Sequence, residues 1–178
     1  ILQAIRSAGL VNQKGPRIQA LLRAITAERG SLDLSFLDSL SPAEAREWLL
    51  RFKGVGPKTA AIVLLFSLGK PAFPVDTHIH RVTRRLGLLP GNATAEAAHK
   101  LLAEMFPPSS YHDLHLNLIR HGREVCQARR PACARCRLRD LCAYYRGLPA
   151  AVRKAHRLRA GAGRHRPASA SPRGRPRT

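Results

Sequence analysis

The sequence predicts an all-α protein. Apolar residues recur at helical spacing in one segment after another, and capping signals stand in front of those segments. No stretch ahead of the basic C-terminal tail alternates apolar and polar residues for long enough to make a convincing strand. Pro16 suits a first helical turn, and Ile18, Leu21, Leu22 and Ile25 follow on one face up to a stop at Gly30. Ser41-Pro42-Ala43-Glu44 reads as a capping box, with Trp48, Leu49 and Phe52 carrying an apolar face onward. Pro57 opens a helix whose body, Ala60 to Phe66, is apolar on every side, which predicts a central buried helix ending at Gly69. Asp76 or Thr77 caps a helix that runs through Leu86 to Gly87. Thr94 starts another, which ends near Met105 before Pro107-Pro108. Ser110 starts the next, with Leu114, Leu118 and His121 on one face. There is no internal repeat.

With 178 residues, of which 44% are hydrophobic, the chain has enough material for one domain or two small ones. Aromatic residues make up only 5%, so the core must come mainly from Leu, Ile, Val and Ala. The longest apolar run, Thr59 to Leu68, falls short of the roughly 20 residues of a spanning helix. Membrane-spanning, collagen-like and wholly disordered readings are excluded. The opening residue is Ile1 rather than Met, inside a helical pattern, which predicts that the natural start lies upstream; no charged-then-apolar leader pattern is visible.

Charge points to the partner. Lys and Arg total 31 against 11 Asp and Glu, a formal net charge of +20, which favours a polyanion. Residues 1–119 carry +5, residues 120–150 carry +6, and residues 151–178 carry +9 with no acidic residue. That last stretch, rich in Gly, Pro, Ser and Arg, cannot bury enough apolar surface to offset chain entropy, and residues 148–178 are expected to form a disordered basic tail. It is either a solvated extension or a source of non-specific phosphate attraction. Without it the folded part keeps a strong positive balance.

All four cysteines, Cys126, Cys133, Cys136 and Cys142, lie in one segment spaced C-x6-C-x2-C-x5-C. Disulfides are the plain alternative, disfavoured because no secretory pattern is seen. Four thiolates in one loop-rich segment can close around a zinc ion or an iron–sulfur cluster. Zinc sites usually show two close pairs, whereas only Cys133 and Cys136 form one here, which favours a cluster without deciding the matter. Arg120, Arg123, Arg129, Arg130, Arg137 and their neighbours make the same segment a plausible phosphate-binding surface.

Phe52-Lys53-Gly54-Val55-Gly56-Pro57-Lys58-Thr59 joins two helices through a very short turn. Gly54 and Gly56 permit positive φ and let a ligand approach the backbone closely, while the helix opening at Pro57 offers free N–H groups and a positive dipole end. Lys58 is either a surface lysine or a nucleophilic amine. An amine attacks a sugar carbon only when unprotonated, and a helix N-terminus and neighbouring cations favour proton loss. Asp76 is an N-cap, a carboxylate that takes the amine's proton or steadies a cationic sugar, or both.

Together these pieces resemble the endonuclease III branch of the helix-hairpin-helix DNA glycosylases. The resemblance is carried by Gly54-Val55-Gly56-Pro57-Lys58-Thr59-Ala60, by Val75-Asp76-Thr77-His78-Ile79 with Arg81-Val82, and by the cysteine spacing; His121-Gly122-Arg123 and Asn12-Gln13-Lys14 add to it. It covers roughly residues 1–145 and implies a helical-barrel HhH-GPD lobe over 1–108 and an iron–sulfur cluster lobe over 109–147, followed by the tail. Double-stranded DNA carrying damaged bases or abasic sites would bind across the cleft between the lobes. The protein would act as a monomer, in the cytoplasm near the nucleoid, or in the nucleus or an organelle if eukaryotic.

By the same resemblance, Lys58 is the amine that attacks C1′ of a flipped nucleotide and Asp76 is the essential carboxylate. Lys53, Gly54, Val55, Gly56 and Thr59 grip the DNA backbone. Cys126, Cys133, Cys136 and Cys142 hold a structural [4Fe-4S] cluster. The implied activity is base excision repair by a bifunctional glycosylase, which removes oxidised pyrimidines and cuts abasic sites through a Schiff base and β-elimination. The family's adenine-specific mismatch branch lacks a lysine at the place of Lys58. Alternatives are a glycosylase for mismatched or alkylated bases or pyrimidine dimers, and a non-catalytic DNA-binding fragment. Three departures stand out. Lys53 replaces the usual hairpin proline, no acidic residue occupies Leu50 or Arg51, and the family's first helices, one of which supplies the residue that fills the gap left by the flipped base, have no counterpart.

Overall fold

The computed structural model describes residues 3–8 and 10–155, and among them there is no strand. Among the described residues the architecture is carried by α1 (Val11–Arg29), α2 (Pro42–Leu50), α3 (Pro57–Ile62), α4 (Thr77–Leu86), α5 (Ala95–Met105), α6 (Tyr111–Glu124) and α7 (Ala143–Arg146). Short 3-10 turns fill several of the connections. The all-α expectation holds because the apolar periods are helical and α2, α3, α4 and α5 each start at a side-chain cap or a proline.

The capping box forms as predicted, with Glu44 N donating to Ser41 Oγ at 3.2 Å and Ser41 N donating to Glu44 Oε2 at 2.8 Å. Ile79 N donates to Asp76 Oδ1 at 2.7 Å, and Ala97 N donates to Thr94 Oγ1 at 3.1 Å. Gly30 and Gly87 close α1 and α4 in the left-handed region.

Three expectations are corrected. Helix α1 begins at Val11, so Pro16 lies inside it rather than in its first turn. Gly15 precedes that proline and has no Cβ to clash with the ring, which lets the helix pass through at the loss of one backbone hydrogen bond. The apolar helix from Pro57 changes at Ile62 into a π-helical turn, Val63–Ser67. It is not buried all round: Ala60, Ala61 and Leu64 face inward, but Phe66 remains 40% exposed. Ser110 precedes α6 as expected, at its N-cap position, although its hydroxyl donates to the Pro107 carbonyl at 2.7 Å rather than capping the helix. Finally, the segment assigned to the tail starts with order. Residues 150–155 are helical, Arg153 N donates to Pro149 O, and the Tyr145 hydroxyl donates to Arg153 O at 3.2 Å. The rest of that segment, 156–178, lies outside the described residues.

Apolar burial is organised in two clusters. One joins α1, α2 and α3 through Ile25, Leu37, Trp48, Phe52, Ala60 and Leu64, with Trp48 edge-on between Phe36 and Phe52. The other joins α4, α5 and α6 through Phe73, Val75, Ile79, Val82, Leu102 and Leu118. Helices α4 and α6 approach so closely that a Cβ on Gly122 would lie 2.8 Å from the His78 Cβ. Only glycine fits there. The hairpin lysine belongs to the first cluster's helices and the capping aspartate to the second's, so the junction of the clusters sets their relative position.

Candidate active site

The hairpin is built by a few local bonds. Val55 N donates to Phe52 O at 3.0 Å, closing the turn, and Ala60 N donates to Gly56 O as α3 begins. Gly54 sits at φ +97°, a conformation that side-chain-bearing residues avoid, and the Arg17 stem from α1 packs over it, with its Cδ 3.6 Å from where a Cβ would stand. Gly56, by contrast, is extended at φ −98° and ψ 178°, so the expected need for positive φ applies to Gly54 alone. A Cβ at Gly56 would meet nothing within 4 Å. Neither backbone conformation nor internal packing requires glycine at that position. Lys53, Lys58 and Thr59 are exposed and Val55 is half-buried, so the turn offers its backbone and two ammonium groups outward.

Lys58 stands in the first turn of α3 and Asp76 at the N-cap of α4. Asp76 uses Oδ1 for the cap, while Oδ2 has no hydrogen-bond partner among the described residues. Capping therefore occupies half of the carboxylate and leaves the other oxygen free. Both side chains act electrostatically on His115 of α6, which is only 3% exposed. Burial pushes this imidazole below its ordinary pKa. The Pro74 carbonyl and Asp76 oppose that shift, and Lys58 and His112 add to it. Lys58 and Asp76 thus act with opposite sign on one buried histidine. Sequence reading missed His115, because its bond to Pro74 spans 41 residues and no local period signals it.

The four cysteines are unbridged and line a single pocket, together with Val82, Leu86, Val125 and Tyr145. Among the described residues no three potential ligands converge tightly on one ion. Burial raises the Cys133 thiol, and the other three sulfurs raise it further; Cys136 is raised by burial and by Cys126 and Cys142. Four sulfurs around one apolar pocket, two of them held protonated by burial and by their neighbours, fit a cationic body that all of them ligate as thiolates.

Two arginines on one face of α4 tie that pocket to the helix. Arg81 donates through Nε to Cys126 O at 3.0 Å and through Nη2 to Gly122 O at 2.9 Å and His78 Nδ1 at 3.0 Å. Arg85 donates to Gln127 O and Ala128 O, each at 2.7 Å, and to Cys126 Sγ at 3.4 Å, while the Cys142 thiol donates to Arg85 O at 3.1 Å. Their i, i+4 spacing puts both on one face of α4. Beyond the pocket, Arg123, Arg129, Arg130 and Arg137 are exposed.

A glycine hairpin and a four-thiol pocket on an all-helical frame define a class of helix-hairpin-helix protein. Residues 1–108 match the model of the HhH-GPD superfamily of base excision DNA repair proteins, and the chain belongs to that superfamily. It is similar to the endonuclease III of Sulfolobus acidocaldarius, 37% identical over 145 residues that cover 82% of this chain and 62% of the relative. The DNA glycosylase/AP lyase ROS1 of Arabidopsis thaliana is 30% identical over 172 residues, covering 87% of this chain and 12% of that protein. A solved structure of a trapped endonuclease III–DNA covalent intermediate, an estranged-adenine complex, matches with a TM-score of 0.66 at 32% identity, covering 82% of this chain and 64% of that one. The chain spans less than two thirds of the length of these relatives.

Proposed function

We propose that this chain carries the catalytic site of a bifunctional DNA glycosylase and abasic-site lyase, with oxidised pyrimidines as its substrate bases. The observation that carries the reading is the pair formed by Lys58, exposed in the first turn after the hairpin, and Asp76, with one carboxylate oxygen free, both within the field of the same buried histidine. The likeness to a trapped endonuclease III–DNA covalent intermediate supports the covalent route.

In this mechanism the damaged nucleotide leaves the stack and Lys58 Nζ attacks C1′. The N–C1′ bond forms as the glycosidic C1′–N bond breaks, and the base departs with the electron pair and takes up a proton. The nitrogen then loses a proton, the ring C1′–O4′ bond opens with a proton to O4′, and a Schiff base remains. Loss of a C2′ proton expels the 3′ phosphate and cuts the strand. Asp76 Oδ2 accepts a proton from the amine or balances the positive sugar.

Cys126, Cys133, Cys136 and Cys142 would hold a [4Fe-4S] cluster that pins the arginine-bearing loop. The hairpin and that loop then grip the DNA backbone. Gly56, which the protein itself leaves without a steric neighbour, gives room for a phosphate, flanked by Lys53.

The test is borohydride trapping on DNA carrying one abasic site. The full chain should yield a covalent protein–DNA adduct and Lys58→Gln should yield none. Binding without any adduct or strand cutting by the unmodified chain would contradict the reading and favour a purely DNA-binding role. A panel of lesion duplexes, compared at one salt concentration, checks the preference for oxidised pyrimidines over mismatched or alkylated bases.

A further inference from the structure

His115 is a buried polar group with half of its hydrogen bonding unused. Its ring lies 5.3 Å from that of Phe66, edge-on, and its Nδ1 pairs with the Pro74 carbonyl at 3.0 Å. A carbonyl only accepts, so Nδ1 carries the proton, and in the neutral ring Nε2 is left as a bare acceptor. Nε2 has no partner among the described residues, although the side chain is 3% exposed. Buried acceptors are almost always satisfied by protein, water or ligand. Pro74 is itself fully buried and lies two residues before Asp76, so the Nδ1 bond fixes the chain that delivers the capping carboxylate.

We propose that His115 is a positioning residue of the Lys58–Asp76 centre: Nδ1–H anchors the Pro74 carbonyl and so places Asp76, while neutral Nε2 is the acceptor that orients the attacking amine, directly or through one water. This rests on the reading of Lys58 as nucleophile and adds to it a third polar group. The charged or titratable groups that act electrostatically on the ring are Asp76 at the N-cap of α4, Lys58 from α3 and His112 from α6. Burial keeps the ring neutral at neutral pH. Acidification below its ordinary value of 6.5 eventually protonates Nε2, removes the acceptor and sets a second cation beside Lys58.

The experiment measures single-turnover adduct formation on abasic-site DNA in borohydride, from pH 5 to pH 8, for the unmodified chain, His115→Leu and His115→Asn, with melting temperature and DNA affinity recorded for each. His115→Leu should slow trapping about 10- to 100-fold, with DNA affinity unchanged. His115→Asn, whose amide can still donate to Pro74, should recover much of the rate at pH 8. It should also lack the extra loss of rate that the unmodified chain shows at the acid end of that range. Trapping by His115→Leu at the unmodified rate, or an acid limb in His115→Asn identical to that of the unmodified chain, would overturn the proposal. If both variants melt early, their acid limbs measured below the melting temperature still decide it. An unmodified chain that forms no adduct would instead remove the reading of Lys58 and this inference with it.

Discussion

Asp76 serves two purposes with two oxygens. Oδ1 satisfies the Ile79 N–H at the start of α4, and Oδ2 has no hydrogen-bond partner among the described residues. The two roles separate by substitution. Asp76→Asn retains an oxygen for the cap and should leave the melting temperature within a degree or two, while strand cutting at abasic sites falls by about 100-fold or more. Asp76→Ala removes both functions and should lower stability by about 1 kcal/mol as well, a shift of about 2–4 °C. A cap-only residue would show the opposite order, with Asn fully active. The cap was legible in the sequence because Asp followed by a helical period is a local signal. Which oxygen is left over depends on the folded backbone, and no sequence pattern encodes that.

The hairpin separates two uses of glycine at the scale of an element. Gly54 needs its positive φ and accommodates the Arg17 stem, so Gly54→Ala should cost about 1–2 kcal/mol. Gly56 has an ordinary extended conformation and empty space around it, so Gly56→Ala should leave stability unchanged or raise it by about 0.4–1 kcal/mol through the unfolded chain. Yet Gly56→Ala should weaken binding to DNA in a salt titration if the space is reserved for a phosphate. Equal DNA affinity in that variant would show that the turn does not touch DNA. The G-x-G spacing predicted a tight turn but could not assign these different roles, because both residues are equally permissive in isolation. The helix that follows shows a related limit. Its uniformly apolar composition from Ala60 to Phe66 promised burial on all sides, but the π turn at Val63–Ser67 rotates Phe66 outward against His112.

The thiol pocket is a second element with its own test. Cys126→Ser should abolish brown absorbance in the visible blue and, because Arg81 and Arg85 bind the loop at Cys126, Gln127 and Ala128, loosen the loop against α4. Hydrogen exchange should rise in residues 126–146 before it rises in α2. Colourless unmodified protein containing stoichiometric zinc would contradict the cluster. The cysteine spacing made this pocket legible. The α4 arginines that close it were not, since their partners lie more than 40 residues away.

At the scale of the whole molecule, three desolvated histidines set the acid limit. His99, His115 and His121 are all lowered, chiefly by burial, so the unfolded chain binds their protons first as pH falls. Their contribution to stability is present above 6.5 and is lost as pH drops below that value toward the folded pKa values. Glu28, Asp33 and Glu44 are lowered too, by hydrogen bonds to their carboxylates, and act only in stronger acid. The melting temperature should therefore fall between pH 7 and pH 5, and His99→Gln with His115→Gln should flatten that decline. An unchanged slope in the double variant would show that other groups govern it. The charge was the whole-molecule property most open to reading: an excess of 20 positive charges implies a polyanion partner before any helix is drawn. Two separate apolar clusters, with Lys58 attached to one and Asp76 to the other, became visible only in the fold.

The central claim is that one particular nitrogen bonds to deoxyribose. Reducing the complex with abasic-site DNA, digesting the adduct and sequencing the modified peptide by mass spectrometry tests it directly. The account predicts the sugar remnant on Lys58 alone. A remnant on Lys53, Lys70 or any other amine, with Lys58 unmodified, would contradict it.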